Sequence, residues 1–126
     1  MDTCENISSY RGTAQYRRLE PDLGSTVQMD PNYLEAFLHF RSVPQTNGPL
    51  EKKYKEMIFI AINAATTHLH APGVRRHIQN ALKAGATQAE ILEVIQLTTI
   101  MGIHAMTLGA PILQEEVDAF NAQNAL

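Results

Sequence analysis

The chain is poor in cysteine and aromatic side chains. Its 126 residues include one cysteine and no tryptophan, and aromatic residues make up 6% of the sequence. A single cysteine cannot form an internal disulfide. Cys4 lies in a polar N-terminal stretch, whereas a cysteine nucleophile needs a positioned base and a supported pocket. We therefore expect no thiol chemistry from Cys4.

The chain also has no excess of basic charge and no long apolar run. The formal net charge is −3, and the basic residues are scattered apart from the pair Arg75 and Arg76, which argues against nucleic-acid binding. No apolar run approaches the roughly 20 residues that span a bilayer. The first residues, Met-Asp-Thr-Cys-Glu-Asn, lack the basic and apolar regions of a signal peptide. We expect a cytoplasmic protein without a membrane partner.

Apolar residues recur at helical spacing from residue 30 onwards, and no segment alternates as a strand does. The pattern predicts an all-α, single-domain helical bundle of about five helices. Residues 1–29 show no period and are predicted to form an irregular arm, so we place the helical domain at 30–126. The predicted helices cover 31–41, 50–67, 72–84, 88–101 and a last segment that starts near His104.

Several of these helices have recognisable ends. Asp30 followed by Pro31 is typical of a helix start, and Thr87 with Glu90 three residues later forms a capping box. Gly85 is placed to end the third helix and Gly102 to end the fourth. Residues 43–49 read as a loop because of their Pro, Asn and Gly content.

Two helices are apolar almost all round. The second is apolar on every side towards its C-terminal end, and the fourth leaves only a narrow polar strip. Such helices are expected to be buried on all sides. Their apolar surface is larger than the surface that five helices can bury within one chain. We therefore predict a homo-oligomer. Glu56 and Asn63 share one line of the second helix and would need polar partners, for which the following histidines are the nearest candidates.

Residues 63–85 concentrate three of the five histidines and two arginines around one predicted helix start. Pro72 is expected at the first helical position and Ala71 at the N-cap, where Ala has no oxygen to bind the open N–H groups. Arg75 and Arg76 lie where the helix dipole disfavours cations. This arrangement favours a pocket for a carboxylate. The alternative is that both arginines are solvated or paired with acidic neighbours.

The chain resembles the carboxymuconolactone decarboxylase family, which includes the alkylhydroperoxidase-D-like proteins. The resemblance covers about residues 30–120 and depends on the order of three segments. These segments are Leu50-Glu-Lys-Lys-Tyr-Lys-Glu-Met-Ile, then Arg76-His77-Ile78 with Ala81-Leu82 and Ala84-Gly85-Ala86-Thr87, then Glu90-Ile91-x-Glu93-Val94 followed by Gly102. It implies an all-helical fold assembled as trimers or hexamers, with a pocket around Glu56 and His77.

The chain departs from one branch of that family. Peroxidase members carry a Cys-x-x-Cys pair just before the family histidine, where this chain has Thr67-His-Leu-His-Ala-Pro-Gly. Without that pair a thiol peroxidase is excluded on chemical grounds. The decarboxylase branch fits better, and its reaction needs no thiol, metal or organic cofactor. His68, His70 and His104 are additional to the common pattern of the family.

The leading hypothesis is a lyase or isomerase acting on a small carboxylated lactone or unsaturated acid. His77 or His68 would move a proton and Glu56 would orient the histidine, while Arg75 or Arg76 would hold the substrate carboxylate. His70, His104 and Asn63 are further candidates for substrate binding.

Two other interpretations stay open at the sequence level. The chain could be a non-enzymatic oligomeric module of the same fold that binds a small acid or another protein. Alternatively, His68, His70, His77 and Glu56 could supply ligands to a metal, although His-x-His lacks the helical spacing of well-attested zinc motifs.

Overall fold

A computed structural model describes residues 28–46 and 48–125. These residues contain five α-helices and one short 3-10 turn, and they include no β-strand. The α-helices are α1 (Pro31–Thr46), α2 (Lys52–Ala64), α3 (Ala71–Lys83), α4 (Gln88–Thr98) and α5 (His104–Asn124), and the 3-10 turn is Thr99–Met101. The predicted all-α fold with about five helices is confirmed.

Helix α1 begins as predicted and ends later than predicted. The Asp30 carboxylate accepts a hydrogen bond from the backbone N–H of Tyr33 at 3.0 Å, as an N-cap does. The helix continues past the predicted end at Arg41 to Thr46, with Pro44 inside it. Proline has a φ compatible with a helix and removes only one backbone donor. The composition of residues 43–49 therefore predicted a loop where the last helical turn lies.

The chain divides into two compact units, Met1–Gly48 and Pro49–Leu126. Helix α1 belongs to the first unit, and helices α2 to α5 form the second. The predicted arm at 1–29 lies outside the described residues except for its last two positions. The boundary at residue 30 stays a prediction.

Helix α2 ends three residues earlier than predicted. Ala65 follows it with an extended backbone, and residues 66–68 form a turn before α3 starts at Ala71. The backbone N–H of His70 donates to the carbonyl of Asn63 at 2.8 Å, which closes the connection. The short connection makes α2 and α3 neighbours.

The end of α3 and the start of α4 agree with the prediction, whereas α4 ends at Thr98, three residues before the predicted end. Gly85 follows α3 with φ +98°, a conformation that favours glycine. Thr87 and Glu90 form both hydrogen bonds of the predicted capping box at the start of α4. Gly102 ends the 3-10 turn that follows α4. These local signals act within a few residues, so the sequence predicts them well.

The second unit has one apolar core between its four helices. Its fully buried side chains include Ile60 of α2, Val74 and Ile78 of α3, and Ile91 and Ile95 of α4. Helix α5 adds Ala105, Ile112, Leu113 and Val117. At the surface, the Lys53 ammonium and the Glu90 carboxylate form an ion pair of 3.0 Å between α2 and α4.

The single chain leaves apolar residues of α2 and α4 exposed, so the burial of these helices on every side by subunit contacts stays a prediction. Ile62 on α2 is 52% exposed, and Leu97 on α4 is 61% exposed. Tyr54 and Ile58 are also exposed on α2, as are Ile100 and Met101 after α4. Within the described residues, no helix combines the length and apolarity needed to cross a bilayer.

Candidate active site

Glu56 and His77 form a buried pair between α2 and α3. The His77 Nδ1 and the Glu56 Oε2 are 2.6 Å apart, and the two residues are 4% and 8% exposed respectively. A buried carboxylate costs free energy unless it is paired and hydrogen-bonded. The two groups therefore satisfy each other, and their predicted proximity is observed. Their catalytic role stays a prediction.

The ends of the two helices explain how the residues meet. A helix ending at residue 67 would place Glu56 about one and a half turns out of register with His77 in a simple antiparallel pair. With the observed ends, Glu56 lies eight residues before the end of α2 and His77 six residues after the start of α3. At a rise of 1.5 Å per residue these distances are about 12 Å and about 9 Å. The remaining mismatch is less than one turn, so direct contact within one chain is possible.

The pairing determines which ring nitrogen of His77 is available for chemistry. When Glu56 is ionised its carboxylate only accepts hydrogen bonds, and the Nδ1 of His77 is then the donor in this pair. Within the described residues, this is the imidazole's one hydrogen bond. Nε2 is then the nitrogen that can accept or deliver a proton, with Glu56 fixing the tautomer.

Two further residues flank the pair and were missed by the sequence analysis. The Phe59 ring stacks on the His77 imidazole, with ring centroids 4.7 Å apart and planes at 18°. The side-chain amide of Asn80 donates to the same Oε2 of Glu56, at 3.5 Å. Phe59 follows Glu56 by three residues and Asn80 follows His77 by three, and such spacing puts each pair on one helix face. This spacing could have indicated that Phe59 and Asn80 belong to the site. Many residues share such spacing, however, so the indication becomes specific only once α2 and α3 are known to face each other.

The start of α3 differs from the predicted open anion site. His70, not Ala71, is the N-cap, and its Nδ1 accepts a hydrogen bond from the backbone N–H of Gly73 at 3.2 Å. Asn63 is buried, and its side-chain amide donates to the carbonyl of Phe59 at 2.8 Å. At the start of α3, the His70 imidazole nitrogen takes the place of the side-chain oxygen that usually caps a helix. His70 and Asn63 hold the end of α2 and the start of α3, and their role in substrate binding stays a prediction.

Arg75 is paired with carboxylates of α5. Its guanidinium donates to Glu116 Oε1 and to Glu115 Oε2, each at 2.6 Å. These hydrogen bonds, to Glu115 first and then to Glu116, raise the pKa of Arg75 above its ordinary value. The alternative of acidic neighbours is therefore correct for Arg75, which is not an open carboxylate site. Arg76 is half-buried beside His77 in the sequence, and its role stays a prediction.

The other candidate histidines lie apart from this pair. The rings of His68 and His70 are 5.3 Å apart at the connection between α2 and α3. His104 is exposed at the first position of α5. Among the residues that the structure describes, no three His, Cys, Asp or Glu side chains are arranged to hold a metal ion. The proposed metal set of His68, His70, His77 and Glu56 does not come together.

An apolar groove lies on the opposite side of α2 from Glu56. It has a volume of about 1020 Å³ and runs between α2 and the end of α4. Its walls include Tyr54, Ile58 and Ile62 from α2, with Leu97 and Ile100 from the other side, and His68 lies at its margin. We call this surface the α2–α4 groove.

Comparison with known proteins identifies the family. The sequence pattern of the carboxymuconolactone decarboxylase family matches residues 31–115, about two thirds of the chain. The chain belongs to this family. The matched range contains both members of the Glu56–His77 pair. The resemblance inferred from the sequence is confirmed.

Two solved structures extend this result. A protein of Burkholderia xenovorans LB400, provisionally described as a carboxymuconolactone decarboxylase, aligns with a TM-score of 0.75 and 22% identity over 96% of each chain. At that identity the likeness shows the fold. A provisional γ-carboxymuconolactone decarboxylase subunit from the same organism aligns with a TM-score of 0.62 and 36% identity. The alignment covers 91% of this chain and 44% of that subunit, so this chain spans less than half of it. No curated protein matches the chain.

Proposed function

We propose that this member of the carboxymuconolactone decarboxylase family is a cytoplasmic lyase that decarboxylates a small carboxylated lactone or a related unsaturated acid. An isomerase that moves a proton on the same kind of substrate is a variant of this proposal. The reaction needs no metal or organic cofactor, because the substrate's own conjugated carbonyl accepts the electron pair.

The observation that carries the proposal is the Glu56–His77 contact of 2.6 Å. In the proposed reaction the carbon–carboxylate bond breaks, CO2 leaves, and its bonding electrons move into the conjugated carbonyl. His77, protonated at both nitrogens, then delivers the Nε2 proton to carbon and regains it from water. Glu56 stabilises the positive charge on the ring until the proton is delivered, and again once the ring has regained a proton. One positioned acid of this kind typically contributes about 10²–10⁴-fold to the rate.

The substrate carboxylate needs a cationic partner besides His77. We assign this role to Arg76, a half-buried guanidinium that directly precedes His77 on α3. A guanidinium suits a carboxylate because it can donate two parallel hydrogen bonds. An Arg76→Gln variant should raise KM at least tenfold and leave kcat within a factor of about three, as expected when a binding contact is removed.

We also propose that the protein works as a homo-oligomer, a trimer or a hexamer. The α2–α4 groove exposes Ile62, Leu97 and Ile100 to solvent in the single chain, and Ile100 is 86% exposed. Contiguous apolar surface of this kind marks an interaction site. A second copy of the chain would cover it without any further partner.

The test is CO2 release from γ-carboxymuconolactone by the purified chain and by two variants. Glu56→Gln and His77→Gln should each lower turnover at least tenfold, because each removes one half of the proton-transfer pair. His39→Gln is the matched control, since His39 is an exposed histidine on α1. Circular dichroism should show that all variants stay folded.

Three results would overturn the proposal. The first is substrate binding by calorimetry without CO2 release or isomerisation, which would support the non-enzymatic small-acid-binding module. The second is full turnover in both pair variants. The third is loss of turnover in His39→Gln to the same extent as in His77→Gln.

A further inference from the structure

We propose that Phe59 is a positioning residue for His77. Its ring fixes the plane of the imidazole, so that Nδ1 stays on Glu56 and Nε2 stays available to the substrate. The effect on turnover rests on the proposed function, whereas the effect on the imidazole itself does not.

The geometry of the two rings supports this role. The centroids are 4.7 Å apart and the planes deviate by 18°, which falls within the range of offset stacking. Phe59 lies on α2, three residues after Glu56, while His77 lies on α3. One helix therefore supplies both the carboxylate that holds Nδ1 and the surface that holds the ring face.

A hydrogen bond alone does not hold an imidazole in one orientation. The torsion about the bond between Cβ and the ring is broad, because it joins an sp³ and an sp² carbon. The Glu56 contact restrains one direction of the ring, and stacking on Phe59 restrains its plane. A half-turn of the ring would break the Glu56 contact, and a tilt of the ring away from Glu56 would break the stack on Phe59.

Asn80 is the other residue that could position the pair, and its contact is weaker. Its amide is 3.5 Å from Glu56 Oε2, beyond the usual 2.7–3.2 Å for N–H···O bonds. The His77 contact with the same oxygen is 2.6 Å. The orientation of His77 is therefore set mainly by its short contact with Glu56 and by its stack on Phe59. Of the two flanking residues, this assigns the positioning role to Phe59.

The competing explanation is that Phe59 only fills space between α2 and α3. Phe59→Leu and Phe59→Tyr separate the two roles. Leucine keeps much of the apolar bulk and removes the flat face. Tyrosine keeps the ring, and Phe59 is half-buried, so a hydroxyl can be accommodated towards solvent. Phe120→Leu on α5 is the matched control, because Phe120 is also half-buried against the core.

The first measurement is nitrogen NMR of the folded protein labelled with ¹⁵N-histidine, at a pH where the imidazole is neutral. Wild type, Phe59→Tyr and Phe120→Leu should show His77 with hydrogen on Nδ1. Phe59→Leu should show a mixture of tautomers. This readout requires no substrate, so it stays informative if γ-carboxymuconolactone is not turned over.

The second measurement is steady-state kinetics with γ-carboxymuconolactone. Phe59→Leu should lower kcat about tenfold and leave KM within about twofold, as expected for a group that acts in the transition state. Phe59→Tyr should restore kcat to within about threefold of wild type. If Phe59→Leu does not fold, Phe59→Met replaces it, since methionine fills irregular space without a flat face.

The positioning role is overturned if Phe59→Leu keeps a single Nδ1–H tautomer. It is also overturned if Phe120→Leu lowers kcat as much as Phe59→Leu, or if Phe59→Tyr fails to restore kcat. Absence of turnover in wild type, together with the expected tautomer change in Phe59→Leu, would remove the proposed function and leave the positioning role intact.

Discussion

Helix α2 has two faces with opposite chemistry and opposite exposure. The face towards α3 carries Glu56 and Asn63, which are polar and buried. The face towards the α2–α4 groove carries Tyr54, Ile58 and Ile62, which are largely apolar and exposed. A surface helix of a monomeric protein normally shows the reverse, with apolar residues inside and polar residues outside.

The reversal indicates different uses for the two faces. A buried polar face costs free energy unless every group finds a partner, and here Glu56 and Asn63 both do. An exposed apolar face is stable in water only when something covers it. We interpret the first face as the chemical site and the second as the surface for assembly.

Charging the apolar face should have the largest effect. We expect Ile62→Glu to dissociate the oligomer, because assembly would bury an unpaired carboxylate. Multi-angle light scattering at micromolar concentration should show a multiple of 14.0 kDa for wild type and 14.0 kDa for the variant. Ile103→Glu makes the same change at an exposed isoleucine outside the groove and should keep the wild-type mass. A monomeric wild type, or equal masses for both variants, would contradict the interpretation.

Crowding the polar face should have the next largest effect. A Cβ at Gly73 would overlap Asn63 Oδ1 and lie 2.7 Å from His70 Nδ1. Asn63 is held by its bond to Phe59, and His70 by its role as cap, so neither can move freely. We expect Gly73→Ala to lower the free energy of unfolding by about 1–3 kcal/mol in urea titrations.

The control for this variant is Gln79→Ala, an exposed position on the same helix. It should change stability by no more than about 0.5 kcal/mol. Equal stability of Gly73→Ala and wild type would show that the contact between α2 and the start of α3 is looser than the structure indicates.

Removing Arg75 should have a moderate effect on stability and little effect on KM. Its side chain is 42% exposed, so solvent screens much of its attraction to Glu115 and Glu116. Glu116 is buried and would lose its partner, and we expect Arg75→Ala to cost about 1–2 kcal/mol. Glu115→Ala should cost less, because Glu115 is exposed. A large rise in KM with unchanged stability would instead return Arg75 to the substrate site.

Substitution of Glu90 should have the smallest effect on stability, because Glu90 lies on α4 and belongs to neither face of α2. The backbone N–H of Thr87 and then the Lys53 ammonium lower the pKa of Glu90 below its ordinary value. A lowered pKa stabilises the fold above the ordinary carboxyl range, and this stabilisation is lost as the pH falls through the folded-state pKa. Glu90→Gln should therefore lower the melting temperature at pH 7 by at most a few degrees, with a smaller difference near pH 3.

Glu93→Gln is the control, since it makes the same change on α4 outside the capping box. Its melting temperature should follow that of wild type at both pH values. If the difference in melting temperature between Glu90→Gln and wild type were larger at pH 3 than at pH 7, the lowered pKa of Glu90 would not explain it.

Local signals in the sequence predicted the start of α1, the end of α3 and the start of α4. Asp30, Gly85 and the Thr87–Glu90 capping box act on backbone groups within a few residues, so no knowledge of packing is needed. His70 was missed as a cap because an imidazole is an uncommon substitute for an oxygen acceptor. The extra turn of α1 was missed because Pro44 usually indicates a helix end.

Long-range contacts were less predictable. The carboxylate partners of Arg75 lie 40 and 41 residues away, and nothing near Arg75 identifies them. The Glu56–His77 contact followed from the family resemblance, whereas a register argument with the predicted helix ends disfavoured it. An error of three residues at the end of α2 was enough to reverse that argument. The stacking of Phe59 also depends on this register.

The short connection between α2 and α3 has a consequence for the order of folding. Glu56 and His77 are 21 residues apart in the chain, whereas Arg75 and its partners on α5 are about twice as far apart. Contacts between nearby segments lose less chain entropy when they form, so we expect the α2–α3 hairpin to be structured in the folding transition state before α5 docks. Stopped-flow refolding should then show Gly73→Ala slowing folding and Arg75→Ala mainly accelerating unfolding. The Glu56–His77 pair would be assembled early, before the remainder of the core closes around it.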